Sequence, residues 1–291
     1  MSDRLATGGD PSRLFSFVQF EFPWALGPPD GRYVLRGPAD DGPRGVLVLS
    51  TLGAPERRTL LGRRRGREAP EEPEPTPVVT ARATVIVAEP LDGQEDGIRH
   101  TKSAGEPEAQ AALRELATAI AAHRLAATDP HVVEPALEQA LVVRVGYGSG
   151  EEVAEGQYTS ARELPAIRRR RRKRADVLRP QERFAALLGG REQPLACEEL
   201  ALRARVDLDA GRLREAALQL RIALDAALAE FPGDLRGDRA AERLSELREL
   251  HEGTTEAAQA ALTAQPSDAE AISAPLERLE AALRARSVAG G

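Results

Sequence analysis

The chain is short of large and reactive side chains. Aromatics make up 3% of its 291 residues, there is one cysteine, only Lys102 and Lys173 of the 40 basic residues are lysine, and asparagine is absent. With so few aromatics, most core layers have to be filled by Ala, Leu and Val, which favours closely approached helices over an aromatic sandwich. The lone thiol, Cys197, cannot close an internal disulfide, and this suits a reducing compartment. Apolar runs stay below the roughly 18 residues that span a bilayer, and the start, MSDRLATGGDPSRL, lacks the apolar stretch of a secretory signal. A cytoplasmic protein without a transmembrane segment is therefore expected.

Recognisable site chemistry is also scarce. His100, His123, His131 and His251 form no close pair with each other or with Cys197 at metal-ligand spacing. The nearest approach to a cluster is His123, Asp129 and His131 around one helix end. Glu198 and Glu199 beside Cys197 raise a thiol pKa rather than activating it, so the cysteine reads as structural. There is no G-x-x-x-x-G-K-S/T phosphate loop and no G-x-S-x-G elbow, and GYGSGEE (146–152) reads as a hairpin turn. No cofactor and no metal are expected.

The first third of the chain has strand character. RLFSFVQFEF and GRYVLR flank the turn-rich PWALGPPDG, and the β-branched segments 44–52 and 77–91 follow, which predicts a meander of about four strands. Ala112, Leu116, Ala119, Ile120 and His123 recur at helical spacing in 107–127, and QALVVRVGYG supplies a further strand. From about residue 178 the pattern is purely helical. The fold class expected is α+β: an N-terminal antiparallel sheet with one covering helix, then an all-α helical-hairpin region. The domains are read as 10–160 (α+β), 161–177 (polybasic linker) and 178–291 (all-α).

Six of the ten aromatics, Phe15, Phe17, Phe20, Phe22, Trp24 and Tyr33, fall in one short region and are expected to fill the sheet core. Phe15 and Phe17 are out of phase with Phe20 and Phe22, which predicts a bulge or a strand buried on both faces. RLFSFVQF (13–20) resembles the RNA-recognition-motif signature, with Phe15, Phe17 and Phe20 at the aromatic positions and Leu14 and Ser16 as departures. In that fold the signature follows a β-α-β stretch, which the preceding residues do not provide, so a core strand is the expectation.

In the helical region, PLACEELALRARVDLDAGRLREAALQLRIALDAALAEFPGD carries two amphipathic helices broken at Asp209, Ala210 and Gly211. This stretch resembles one tetratricopeptide-type helical hairpin, with Gly211 at the turn and Ala216, Leu220 and Ala223 at the packing positions. Arg203, Ala204 and Asp207 depart from the pattern, and no second copy follows, so a plain antiparallel hairpin is the competing reading. The arginine-for-lysine bias and the missing asparagine resemble the usage of proteins from high-GC, actinobacterial-type bacteria.

Charge is strongly segregated. Residues 57–67 carry +6 with no acid among them and residues 162–174 carry +7, in a chain whose net charge is −6, so the remainder holds −19. Candidate anion- or partner-binding residues are Arg63, Arg64, Arg65, Arg168, Arg169, Arg170, Arg171, Arg172, Lys173 and Arg174. These could bind a polyanion by counterion release, dock on an acidic protein surface, or serve as solvated linker extended by its own repulsion. The leading functional expectation is a non-catalytic interaction or adaptor protein whose C-terminal helical hairpin contacts a protein partner. The alternatives are a nucleic-acid or ribosome-associated protein that uses the arginines, and an enzyme without a recognisable motif.

Overall fold

The computed structural model describes residues 13–36, 42–53, 79–165, 174–234, 240–263, 265 and 268–289. The chain divides into two compact units, Met1–Arg169 and Arg170–Gly291. Among the described residues the first holds an antiparallel sheet and the second helices, an α+β architecture.

Among the described residues six strands build the sheet: β1 (Leu14–Phe22), β2 (Gly31–Arg36), β3 (Pro43–Leu52), β4 (Thr80–Pro90), β5 (Val142–Ser149) and β6 (Ser160–Glu163). Their order is β2-β3-β4-β1-β5-β6. Only β2, β3 and β4 form the expected meander. The segment after β1 does not turn back as a hairpin; β1 pairs with β4 and β5, and residues 23–30 carry the chain across the end of the sheet to its far edge. Asp30 fastens that crossing, its carboxylate accepting hydrogen bonds from the Thr51 backbone N–H at 2.9 Å and hydroxyl at 2.8 Å.

The reason for the central position lies in the side chains of β1. Val18, Phe20 and Phe22 point to one face and Phe17 to the other, and all four are buried. A strand that is apolar on both faces gains most when neighbours flank it on both edges, whereas β2 alternates exposed and half-buried residues and suits an edge. Both sequence alternatives for the phase change are realised. The strand is buried on both faces, and the register against β4 shifts between Phe15, opposite Pro90, and Phe17, opposite Ile86, which places the extra residues in β4.

Two helices, α1 (Gln94–Ser103) and α2 (Glu106–Ala127), belong to this unit where the sequence predicts one, and a short α3 (Gly150–Ala154) lies within the β5–β6 connection. Leu113, Leu116 and Ile120 of α2 close the larger core over Phe20, Leu47, Ala83 and Val145. On the opposite face Val153 of α3 covers Phe17, Val48 and Ile86. Helix α1, QEDGIRHTKS, lacks an apolar stripe, and its key residue is a glycine. A Cβ on Gly97 would lie 2.5 Å from the buried ring of Tyr147, so the helix backbone rests directly on that ring.

The second unit comprises α4 (Arg174–Leu188), α5 (Ala196–Asp209), α6 (Leu213–Asp234), α7 (Ala240–Leu262) and α8 (Ala269–Ala289). Residues 161–163 of β6 and the first turn of α4 fall within the 161–177 stretch read from sequence as linker. Alanines 201, 204, 216, 223 and 227 are buried together with Leu220, Leu224, Phe231 and Ile272, so small residues let the helices approach closely, as the aromatic shortage implies. Gly211 makes the α5–α6 turn at φ +75°, a conformation that favours glycine. Asp207, a departure from the tetratricopeptide pattern, is buried and accepts hydrogen bonds from Arg212 at 2.7 Å and Gln219 at 2.6 Å, which ties the turn to both helices. Helix α6 runs to Asp234, and the side chain of Phe231 in its last turn is buried in the bundle.

Gly97→Ala sets about 1 kcal/mol of gained helix propensity against overpacking on a ring that cannot yield, about 1–3 kcal/mol. The clash is with the body of a fully buried aromatic, so the variant is expected to be destabilised, read as a lower urea midpoint with unchanged slope.

Candidate functional site

The residues singled out from the sequence fall mostly outside the described part of the chain. Arg63, Arg64, Arg65, Arg168, Arg169, Arg170, Arg171, Arg172 and Lys173 lie outside it, and Arg174 contributes only the first backbone position of α4. What the fold does fix is where the described chain stops on either side of them. Strands β3 and β6 run in the same direction, because successive neighbours across the sheet are all antiparallel. Leu52 pairs with Thr80 at the end of the β3–β4 ladder, and Leu164 donates to the Val143 carbonyl at 2.8 Å just beyond β6. The described chain therefore breaks off toward both basic segments from the same end of the sheet. Strands β4 and β6 are separated there by about 14 Å, three strand spacings.

A second feature was not foreseen. On the sheet face away from α2, polar side chains form cross-strand rows. Gln19 of β1 donates to Thr84 Oγ1 of β4 at 3.1 Å and accepts from Arg144 Nη1 of β5 at 3.0 Å. One residue pair along, the Glu21 carboxylate receives Arg82 Nη2 at 3.1 Å and Arg144 Nη1 at 2.9 Å. Burial alone would raise the Glu21 pKa, but the hydrogen bonds and charges of Arg144 and Arg82 outweigh it and hold the carboxyl below its ordinary range. At the sheet edge Arg32 pairs with Glu151 at 3.1 Å, both largely exposed. Arg32, Arg82, Ser50, Thr84, Glu155 and Gly156 contribute to the wall of a cavity of about 360 Å³ on this face. The signal was present in the sequence as polar residues at every second position, Gln19 and Glu21 in β1 and Arg82 and Thr84 in β4.

A cavity of about 250 Å³ opens on the other face, under the first half of α2. Val18, Leu35, Val85 and Val87 make it apolar, and Ser16, His100, Glu108 and Glu115 add polar groups. Glu108 is held below its ordinary pKa chiefly by the Gly105 backbone N–H, which donates to it at 2.6 Å and so begins α2. An apolar groove with a few polar groups suits the body of a small amphipathic ligand.

In the helical unit Cys197 is buried, and desolvation followed by Glu230 drives its thiol pKa far upward, against any nucleophilic role. Glu230 instead caps α5, accepting the backbone N–H groups of Ala196 at 2.9 Å and Cys197 at 3.1 Å. The His251 ring meets Asp225 at 2.5 Å, and Arg221 pairs with the same carboxylate at 3.4 Å. Around His123, the Asp129 carboxylate accepts the His131 backbone N–H at 2.9 Å in a local turn. Among the described residues no three metal-ligating side chains cluster, and no helix is long and apolar enough to cross a membrane. Leu202 and Val206 stand one turn apart on the outer side of α5, 63% and 53% exposed, and Ile222 is exposed on α6. Compared with known proteins, the chain matches no family model, no curated protein and no solved structure.

The Glu21 network carries a pH dependence of known sign. With a depressed folded pKa, its stabilisation is complete above the unfolded carboxylate range, about 4.3, and is lost as pH falls through the folded value. Glu21→Gln is therefore expected to cost about 1.5–3 kcal/mol at neutral pH. Urea melts of both proteins should show that difference shrinking toward about pH 3, below the ordinary carboxylate range.

Proposed function

We propose that this chain is an interaction or adaptor protein rather than a catalyst, with the α5–α6 hairpin as its protein-contact surface. The observation that carries the reading is the outward display of Leu202, Val206 and Ile222 on helices whose inner faces are already closed by alanine packing. Large aliphatics at i and i+4 on an exposed helix face are the usual anchors by which one helical element seats on another protein. The tetratricopeptide-like turn at Gly211 supports the same use of the hairpin, since such pairs present side chains from two adjacent helices.

A second reading has an observation of its own. The two arginine-rich segments total +13, and the described chain breaks off toward both from one end of the sheet. Charge concentrated in this way favours a polyanion such as RNA, bound through phosphates and weakened by salt.

One experiment separates the two. The tagged full chain is used for capture from its native cell at low and high salt, beside Leu202→Asp/Val206→Asp and a variant with Arg168 to Arg172 replaced by Gln. Under the adaptor reading, protein partners persist at high salt and fall by about tenfold or more in the double Asp variant. Both positions are exposed, so circular dichroism should be unchanged. Partners retained by the Asp variant would overturn it. Nucleic acid that co-purifies at low salt and disappears from the Arg→Gln variant is the outcome of the second reading.

A further inference from the structure

We propose that the α3-side face of the sheet holds an oxyanion-binding site, built around Arg82, that takes the phosphate or carboxylate group of a small ligand. The starting point is the sharing of one carboxylate between two guanidiniums. Glu21 receives both Arg82 and Arg144, and these three side chains are the sheltered part of the charge on this face, 15–24% exposed. The acids nearer the rim are Glu151, already paired with Arg32, Glu155, and Glu163, which stands opposite Arg144 in the β5–β6 register; all three are solvent-exposed and therefore screened. The low-dielectric part of the face thus keeps one positive charge more than it neutralises.

Arg82 is also incompletely used. Its Nη2 goes to Glu21, while its Nε is buried and meets no hydrogen-bond acceptor among the described residues. Buried donors in native proteins nearly always have a partner, and Arg82 is one of the residues that line the cavity on this face. Its Nη1 approaches Gly156, where a Cβ would lie only 2.8 Å away, and Gly156 holds φ +82°, a conformation that favours glycine. Arg82 and Gly156 both line the 360 Å³ cavity, together with Arg32 and the hydroxyl-bearing Ser50 and Thr84. A planar guanidinium, a second arginine and hydroxyl donors are the groups that bind an oxyanion with charge-assisted hydrogen bonds. The cavity is several times larger than one such group, which leaves room for the rest of a small molecule.

The test is titration of the full chain with inorganic phosphate, and separately with acetate, at constant ionic strength, followed by NMR of arginine Nε–H and backbone amide signals. The Arg82 Nε–H and Gly156 amide signals are expected to shift and saturate, and Arg82→Gln to weaken binding by about tenfold or more. Glu21→Gln frees the shared guanidiniums and is expected to tighten binding by about threefold or more, a gain that a purely structural role for the network would not produce. This variant carries the test independently of how well Arg82→Gln folds. A response to phosphate alone assigns a phosphate ligand, and a response to both anions a group that carboxylates also satisfy. Replacing Arg168 to Arg172 with Gln should leave the Arg82 response intact. Shifts that spread over exposed arginines without saturating, or an affinity unchanged in both the Arg82 and Glu21 variants, would overturn the site.

Discussion

The first unit depends on β1 being buried on both faces at the middle of its sheet. Phe17 packs under α3 while Val18, Phe20 and Phe22 pack under α2, so one nine-residue strand contributes to two hydrophobic clusters at once. Everything around it follows from that demand. β4 and β5 must flank it, β2 is displaced to the edge, and the segment from Pro23 to Asp30 becomes a crossing anchored on Thr51. The scarcity of aromatics makes the concentration here decisive, because few other side chains in the chain could fill the same volume.

The polar rows occupy what this strand leaves over. Once Phe17 and Ile86 fill one half of the α3-side face, Gln19, Glu21, Arg82, Thr84 and Arg144 take the other half, close enough to pair across strands. Such a network costs desolvation, and it is retained because each member finds a partner in register. The helical unit solves its packing in the opposite way, with alanines bringing backbones close and a few polar clamps, Glu230 on the start of α5 and Asp207 at the turn, fixing the ends.

The class of fold was legible, as were the strands 44–52 and 77–91, helix 107–127 and the break at Gly211, because each carries its own period or breaker. The pairing of β1 was not, since a strand's neighbours are chosen by what buries both its faces and not by the nearest turn residues. Helix α1 escaped notice because its contact with Tyr147 is made by the missing side chain of Gly97, which leaves no apolar stripe to read. The rows around Glu21 were visible only as alternation within strands read for their hydrophobicity. The arginine segments were conspicuous in sequence, and the sheet adds only the common end from which the described chain leads toward them.

The position of β1 also sets the order in which the unit can assemble. The residues that pair with Phe17, Ile86 and Gly146, are far away along the chain, and the strand's aromatic run precedes both. Local contacts can form the β2–β3 hairpin and helix α2 early, but the central strand has to wait for loop closure on both sides. During synthesis β1 emerges well before β4 and β5, the strands that flank it, so its exposure time is set by topology and not by stability.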